Sequence, residues 1–413
     1  MGFTFLHAAD LHLGSPLAGL ATKDAEIAAR FGSACRDAFS ELVSRAIAEG
    51  VAFAVIAGDV YDGEWKDTSV GLFFNREVAR LDRAGIPVFL IRGNHDAESE
   101  VTKAVPLPAG VTLFPSSRAR TERLAELQVA IHGRSFADRV ASDNFALAYP
   151  DPVHGWFNIG VLHTSCDGRP PHAVYAPCSV QDLASRGYQY WALGHVHDYE
   201  VLARDPWIVF PGNLQGRSVR ECGPKGAVFV DVEDGRVSNA RRVIVDRARW
   251  ASVAVDLAGV DDEAAFRARV GEALKPAFDE AAGTLLAFRL TLEGETNLHR
   301  RLKGDPGRFR DEAQALADHL REDVWLERLR IETREPARPR VEPADGAGLD
   351  PQALLEGLER DEGLRAAARK RLDDVLARIP AGIPERDALA EDLDGLLADA
   401  RALVLGRAVE GGG

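Results

Sequence analysis

Apolar and polar positions along the chain change period several times, and each change marks an element. The stretch Phe3-Thr-Phe-Leu-His-Ala-Ala9 has strand composition and gives way to Asp10-Leu11-His12. Ile27, Phe31, Ala34, Cys35, Ala38, Phe39, Leu42 and Ala46 then recur at three- and four-residue steps, which predicts a helix over 24–48. Phe53–Ala57 is a continuous apolar run ending in Gly58-Asp59-Val60-Tyr61-Asp62. A helix is predicted over 69–84, followed by an apolar run from Pro87 to Ile91 that ends in Gly93-Asn94-His95-Asp96. This β–α–β–α–β alternation is that of a layered α/β domain, and its polar residues sit past the carboxyl ends of three strands, where such sheets place ligands.

From about 111 the pattern shortens to strands with turns between them: 111–114, 129–133, 157–162, 189–193, 207–210 and 226–232. Two of these runs end in chemistry, one in His163-Thr164-Ser165 and one in Gly194-His195-Val196-His197. Near Trp250 a second unit begins, with strand 251–257, helix 262–280, strand 285–293, helix 306–323 and strand 326–333, the pattern of a small α+β domain. Asp305 and Pro306 make a good helix start, and Phe309, Ala313, Leu316 and Leu320 are its expected core face. The boundaries this predicts are 1–248, 249–334, a Pro- and Gly-rich linker over 335–348, and a helical tail over 349–413. In the tail, Leu364, Ala368, Leu372, Leu376 and Ile379 form one stripe. Leu389, Leu393, Leu396, Ala400 and Leu403 form another, across a break at 380–384. Such stripes serve either an antiparallel helix pair packed on its own domain or a docking element for a partner helix.

Composition narrows the picture. The 413 residues suit two or three domains, and 46% apolar with 28% charged residues is ordinary for a soluble globular protein. No run approaches the roughly 20 apolar residues of a membrane span, and the N-terminus lacks a basic segment followed by an apolar one, so a cytoplasmic protein is expected. Cys35, Cys166, Cys178 and Cys222 form no C-x-x-C pair and read as reduced thiols. The net charge of −14 argues against a general polyanion-binding surface. From Glu342 to Gly413, 16 acidic against 9 basic residues contribute −7, half of the total. Cations for a nucleic acid would have to come from patches: Arg217, Arg220 and Lys225 after the His-x-His block, and the stretch 299–310 with Arg300 and Arg301. Solvated loop charge is the plainer reading of both patches.

The residues at strand ends are Asp10, His12, Asp59, Asn94, His95, His163, His195 and His197. Asp10 and His12, two apart on an extended chain, are expected to project to one side. Carboxylate, imidazole and amide donors without a thiolate suit Mn²⁺, Fe²⁺ or Zn²⁺ in a reactive site rather than a structural zinc. They are too many for one ion that keeps an open position and about right for two. Asp59, after a glycine, is the best bridging carboxylate. Each motif alone has a bland explanation, such as a turn, a hairpin corner or a satisfied core pair. Four of them in order after apolar runs do not.

Asp10-x-His12, Gly58-Asp59-x-x-Asp62, Gly93-Asn94-His95-Asp96, His163 and Gly194-His195-x-His197 together resemble the five blocks of the calcineurin-like metallophosphoesterase superfamily, over about residues 1–245. The resemblance implies a four-layer α/β/β/α sandwich carrying a C-terminal α+β capping domain and a helical tail. It also implies that Asp10, His12, Asp59 and His197 hold one metal and Asp59, Asn94, His163 and His195 a second. His95 would be the catalytic imidazole, hydrogen-bonded to Asp96 or Asp62. Gly63-Glu64 after Asp62, and Asp96 closing the third block, depart from the Ser/Thr phosphatases. The segment Ala192–His197, with Phe210-Pro-Gly-Asn-Leu214 and Lys225-Gly226, is similar to the SbcD/YhaO-type DNA repair exonucleases. The implied activity is metal-dependent hydrolysis of DNA phosphodiesters, exonucleolytic or endonucleolytic. Mn²⁺ is the first expectation, with Fe²⁺ or Zn²⁺ open. An SbcC/YhaN-type coiled-coil ATPase is the implied partner, and a homodimer is compatible. A small-molecule phosphodiesterase or nucleotide pyrophosphatase, and a non-catalytic scaffold for the ATPase, stay open as alternatives.

Overall fold

The structure, a computed structural model, describes residues 2–15, 25–62, 68–98, 106–138, 141–167, 176–336, 354–355, 357–358, 360–378, 389–390 and 392–410. The chain divides into two compact units, Met1–Ala251 with Glu280–Ala287, and Ser252–Asp279 with Phe288–Gly413.

In the first unit β1 (Gly2–Ala8), β2 (Phe53–Ala57), β3 (Val88–Ile91) and β4 (Val111–Leu113) run parallel. With β11 (Gly226–Glu233) and β12 (Arg236–Ile244) they form a six-stranded sheet of order β12-β11-β1-β2-β3-β4. A second six-stranded sheet has the order β5-β6-β7-β8-β10-β9, from β5 (Arg120–Leu124), β6 (Val129–Gly133), β7 (Phe157–His163), β8 (Tyr190–Gly194), β9 (Glu200–Arg204) and β10 (Trp207–Phe210).

Alternation along the strands sorts side chains into layers. Phe53, Val55 and Ala57 of β2 and Phe89 and Ile91 of β3 face the second sheet, where they meet Val129, Ile131, Ile159, Val161 and Ala192. Phe5 stacks on Phe53 with ring centroids 5.0 Å apart, and Tyr190 meets Phe5 edge-on. The intervening residues Ala54, Ile56, Val88 and Leu90 face the other way, against α1 (Ala25–Glu49) and α2 (Thr68–Arg83). The short helix α3 (Asn94–Glu98) follows β3. On the far side of the second sheet Leu162, Trp191 and Leu193 pack under Phe145, Ala146 and Leu183, the last from α4 (Val180–Ala184). The result is the expected helix–sheet–sheet–helix sandwich, and the carboxyl ends of β1, β2, β3, β7 and β8 share one edge of it.

Three strands escaped the sequence pattern: β5, β9 and β12. All three are edge strands, with sequences as polar as Arg-Thr-Glu-Arg-Leu. An edge strand has no second neighbour and needs no fully apolar face, so the burial signal is missing.

A third sheet has the order β13 (Ala248–Asp256), β14 (Leu285–Glu293) and β15 (Val324–Ile331), accompanied by α5 (Glu263–Glu280) and α7 (Pro306–Leu320). Asp305 caps α7 by accepting from Arg308 N–H at 3.1 Å. The buried face of α7 is Phe309, Ala313 and Ala317. Leu316 is only partly buried and Leu320 is 43% exposed, so the face follows four-residue steps rather than the predicted 309–313–316–320 stripe. His299–Gly304 forms a short helix, α6, where sequence suggested only a basic stretch. In the tail α8 (Glu362–Leu376) and α9 (Leu393–Glu410) share a small core of Leu372, Leu376 and Leu393, with Ala368, Leu389 and Leu396 against it. This is the antiparallel-pair reading of the stripes in part. Leu364 and Leu403 lie off that core, 43% and 38% exposed. Apart from Glu335 and Pro336, the expected linker lies outside the described residues, as do Ile379 and the break at 380–384. Among the described residues no helix is long and apolar enough to cross a membrane, and the four cysteines are thiols, not joined in disulfides.

Candidate metal centre

At the shared edge the backbone leaves each strand abruptly. Asp10 (φ 52°), His12 (φ 42°), Asp59 (φ 53°) and His195 (φ 100°) all adopt left-handed conformations, after a Gly58 at φ 92° in the case of Asp59. Such conformations are costly for residues with a Cβ and persist only where the surroundings enforce them. Here Asp10 N–H donates to Gly58 O and His12 N–H to Asp59 O, both at 3.0 Å, which ties the first block to the second. Asp10 and His12 are therefore not side by side on extended chain, as sequence suggested. Left-handed backbone at both Asp10 and His12 carries them out of the strand.

The side chains interlock. The Asp10 carboxylate accepts from His195 N–H at 2.9 and 3.1 Å and stands 3.9 Å from His197 Nε2. Asp59 Oδ1 accepts from His95 N–H at 2.9 Å, while its Oδ2 lies 3.9 Å from His12 Nε2 and 3.4 Å from His163 Nε2. One carboxylate thus faces both halves of the site, the position expected of a bridging ligand. His163 donates Nδ1–H to Ala57 O at 2.9 Å, which aims Nε2 at Asp59 and at Asn94 Oδ1, 3.0 Å away. The rings of His163 and His195 meet edge-on at 5.3 Å. His12 Nε2 and His197 Nε2 are 3.1 Å apart. Two nitrogens each about 2.1 Å from one ion are about 3.0–3.4 Å apart at right to tetrahedral angles, so this spacing suits a shared cation. Asp10, His12 and His197, and likewise Asp10, Asp59 and His163, bring one ligand atom each within 4.8 Å of one another.

The electrostatics agree. Asp10, His12, Asp59 and His163 are almost fully buried. Burial pushes Asp10 up to about 6, against the pull of His197 and His163. Burial also opposes ionisation of Asp59, yet His163, His12 and His95 hold it well below the ordinary carboxylate range. Burial and the nearby Arg217 and His197 push His12 far down. His163 rises to about 9, because Asp59 and Asp10 outweigh its desolvation. Buried carboxylates that force a proton onto a buried imidazole are a site that calls for positive charge, and hard or borderline divalent cations meet that need with these donors.

His95 stands beside this cluster, its ring edge-on to His12 at 5.1 Å. Of the two carboxylates expected to hold it, Asp62 does so: His95 Nδ1 lies 3.0 Å from Asp62 Oδ1. Burial lowers the His95 pKa, but Asp62 and Asp59 more than offset it, so the net shift is upward. Asp62 is held low by His95 and His12 against its own desolvation. Asp96 is not a partner of His95 among the described contacts. Its buried carboxylate accepts from the backbone N–H groups of Val60, Tyr61 and Gly93 at 3.2, 2.9 and 3.1 Å, pinning the second block to the third. These three bonds tie the loops together, and among the described contacts the His95 ring is held by Asp62 instead.

The basic residues fare differently. Arg217 lies at the site but is clasped by Glu221, 2.8 Å from its guanidinium. Lys225, a further expected cation, is buried with Nζ donating to His197 O and Asp198 Oδ1, both at 2.9 Å, so it braces the His-x-His turn instead of facing solvent. Arg220 is exposed and forms no ion pair among the described residues. In the second unit Arg300 pairs with Glu335, Arg301 with Glu263, Lys303 with Asp399 and Arg308 with Glu263. Four cations of the stretch 299–310 are thus ion-paired with acids of the same unit. Sequence reasoning missed Glu221, which bonds His197 Nδ1 at 2.8 Å. A lone acid inside the Arg217–Lys225 basic run was the available signal.

Comparison with known proteins bears on the same residues. Residues 3–199 match the family Calcineurin-like phosphoesterase, and residues 250–334 match Metallophosphoesterase YhaO, middle domain. The uncharacterized metallophosphoesterase YhaO of Bacillus subtilis is 32% identical over 372 residues, 86% of this chain and 90% of that protein. The DNA double-strand break repair protein Mre11 of Sulfurisphaera tokodaii is 26% identical over 257 residues, 58% of this chain and 62% of its own length. Mre11 of Haloferax volcanii is 26% identical over 364 residues, 88% of this chain and 77% of its own.

Proposed function

Since the chain belongs to the calcineurin-like metallophosphoesterases of YhaO type, we propose that it is a DNA repair nuclease that hydrolyses phosphodiester bonds with two divalent cations, Mn²⁺ first among them. The observation that carries this reading is the Asp59 carboxylate, set between His12 on one side and His163 on the other, with His95 beside it at the solvent-facing rim. Asp10, His12, Asp59 and His197 would hold one cation and Asp59, Asn94, His163 and His195 the other. When bound, the two ions supply Lewis-acid stabilisation of phosphate charge and acidify the attacking water.

The protein's own groups do the rest. Asp62 fixes the His95 ring through Nδ1 and favours its charged form, which leaves Nε2–H to stabilise the phosphate or protonate the leaving oxygen. Asp96 holds the second ligand loop to the third through the N–H groups of Val60, Tyr61 and Gly93.

DNA as substrate rests on likeness to proteins named for double-strand break repair and on the exposed Arg220 beside the His-x-His turn. The proposed partner is a coiled-coil ATPase of SbcC/YhaN type, engaged through tail residues that α8 and α9 leave open, including Leu364, Val375 and Val404. Cytoplasmic residence follows from the same reading.

Purified protein loaded with Mn²⁺ is to be assayed on linear duplex DNA, single-stranded DNA and bis-p-nitrophenyl phosphate. Hydrolysis of DNA is expected. Turnover of the small diester alone would make it a small-molecule phosphodiesterase, and bound metal with no turnover would make it a scaffold.

A further inference from the structure

Between the ligand His197 and the imidazole of His95 runs an unbroken line of charged groups that the metal-ligand set does not use. His197 Nδ1 is 2.8 Å from Glu221 Oε1. Glu221 Oε1 is 2.8 Å from Arg217 Nη2, and the other end of that guanidinium, Nη1, is 3.9 Å from Asp62 Oδ2. Asp62 Oδ1 in turn is 3.0 Å from His95 Nδ1. Glu221 is itself fixed by Arg217 N–H at 2.8 Å and by the Asn213 amide at 3.0 Å.

Hydrogen-bond chemistry sets the tautomer. Arg217 Nη2 lies 3.2 Å from His197 Nδ1, but a guanidinium can only donate and a carboxylate can only accept. The shorter contact to Glu221 therefore carries the Nδ1–H of His197, and Nε2 is left bare toward His12 and Asp10. This is the carboxylate–histidine arrangement that orients a metal-ligating imidazole and raises its basicity. Arg217, held between two carboxylates, has its charge balanced inside the protein. It is poorly placed to act as the phosphate contact that its sequence position suggests.

We propose that Glu221 and Arg217 are positioning residues that lock His197 as a ligand and, through Asp62, set the orientation of His95, so that the first metal position and the proton-donating imidazole are aligned by one clamp. The inference rests on the dimetal reading above. It predicts that both residues act on metal affinity and on kcat rather than on substrate binding.

The test is calorimetric titration of metal-free full-length protein with Mn²⁺, without substrate, alongside kcat and KM on bis-p-nitrophenyl phosphate and on duplex DNA. Wild type is expected to bind two Mn²⁺. Glu221→Ala should weaken one of them by roughly 10–100-fold, and Glu221→Gln, which keeps an acceptor for Nδ1–H, should bind more tightly than Glu221→Ala. Arg217→Ala and Arg217→Lys, the second keeping charge but not the two-ended fork, should both lower kcat and weaken one Mn²⁺, with KM nearly unchanged. Wild-type Mn²⁺ affinity in Glu221→Ala and Arg217→Lys, or a rise in KM for DNA alone in Arg217→Lys, overturns the clamp while leaving the dimetal reading intact. Failure of wild type to bind Mn²⁺ would overturn that reading itself.

Discussion

The Nε2 atoms of His12 and His197 stand 3.1 Å apart, although 185 residues separate them in sequence. One imidazole leaves the carboxyl end of β1 in the first sheet and the other follows β8 in the second, so the pair stitches the two sheets at the edge where their strands end. Backbone bonds hold each loop, His12 N–H donating to Asp59 O at 3.0 Å and Asn213 N–H to His197 O at 3.3 Å.

That crowding makes metal binding a stabilising event. Adding Mn²⁺ to metal-free protein should raise the thermal unfolding midpoint, by the equivalent of about 2.7 kcal/mol per site when the ion stands at about 100 times its Kd. Asp59→Asn removes the carboxylate that faces both halves and should abolish most of the shift. An undiminished shift in scanning calorimetry would show that Asp59 bridges nothing.

His95 and the ligands divide the labour. His95→Gln is expected to bind two Mn²⁺ as wild type does and to lose about 10²–10⁴-fold in kcat, the usual worth of a placed general acid. Asp62→Asn should fall between the two, because it removes the group that keeps His95 charged and oriented. Equal loss of metal and turnover in His95→Gln would contradict this division.

Gly93 is required for close approach rather than for flexibility. A Cβ built on it would sit 2.2 Å from Asp59 Oδ1 and 2.8 Å from Asp59 N. Asp59 has nowhere to retreat, since the same Oδ1 holds His95 N–H. Gly93→Ala should therefore cost at least tenfold in Mn²⁺ affinity while the protein still folds, as read by titration and circular dichroism.

Arg300 and Arg301 already face Glu335 and Glu263. Replacing both with Gln should change the slope of log K against log salt for duplex DNA by well under one unit. Two free phosphate contacts would lower it by nearly two. Filter binding between about 50 and 200 mM salt separates the outcomes, and a drop near two would restore the stretch as a DNA surface.

Acid should unfold the metal-free protein through its core. His7 is fully buried, with Nε2–H donating to Leu193 O at 3.1 Å and Nδ1 accepting from Tyr190 O–H at 2.9 Å, so the fold holds it neutral. Burial pushes its pKa down to about 3 from an ordinary 6.5. The unfolded chain then takes up a proton that the native state refuses. Stability is full above about pH 6.5 and falls as pH drops toward 3, by about 5 kcal/mol. His132, pushed down to about 4 by burial, acts in the same direction. In urea titrations at pH 7 and pH 5, His7→Gln should show a smaller loss on acidification than wild type. An identical loss would place the acid sensitivity elsewhere.

Local pattern was enough to read the parallel strands and the chemistry at their ends. The apolar runs before Asp10, Asp59, Asn94, His163 and His195 are contiguous in sequence, and a buried strand needs nothing more than that run to declare itself. Donor types without thiolates likewise pointed to divalent cations before any fold was known. The rest depended on long-range placement. Edge strands β5, β9 and β12 carry no burial signal of their own. Asp62 and Asp96 are equally good partners for His95 on paper. Only the packed loops turn Asp96 onto three backbone amides and leave Asp62 for the imidazole. Glu221 looked like one acid among cations until the fold placed it against His197, and the run 299–310 looked cationic until Glu263, Glu335 and Asp399 arrived beside it. The sequence by itself determined which residues could do chemistry, because side-chain type and strand period are local properties. Tertiary structure decided which of them meet, because partners such as His12 and His197 owe their contact to chain reversals and sheet order that no local window contains.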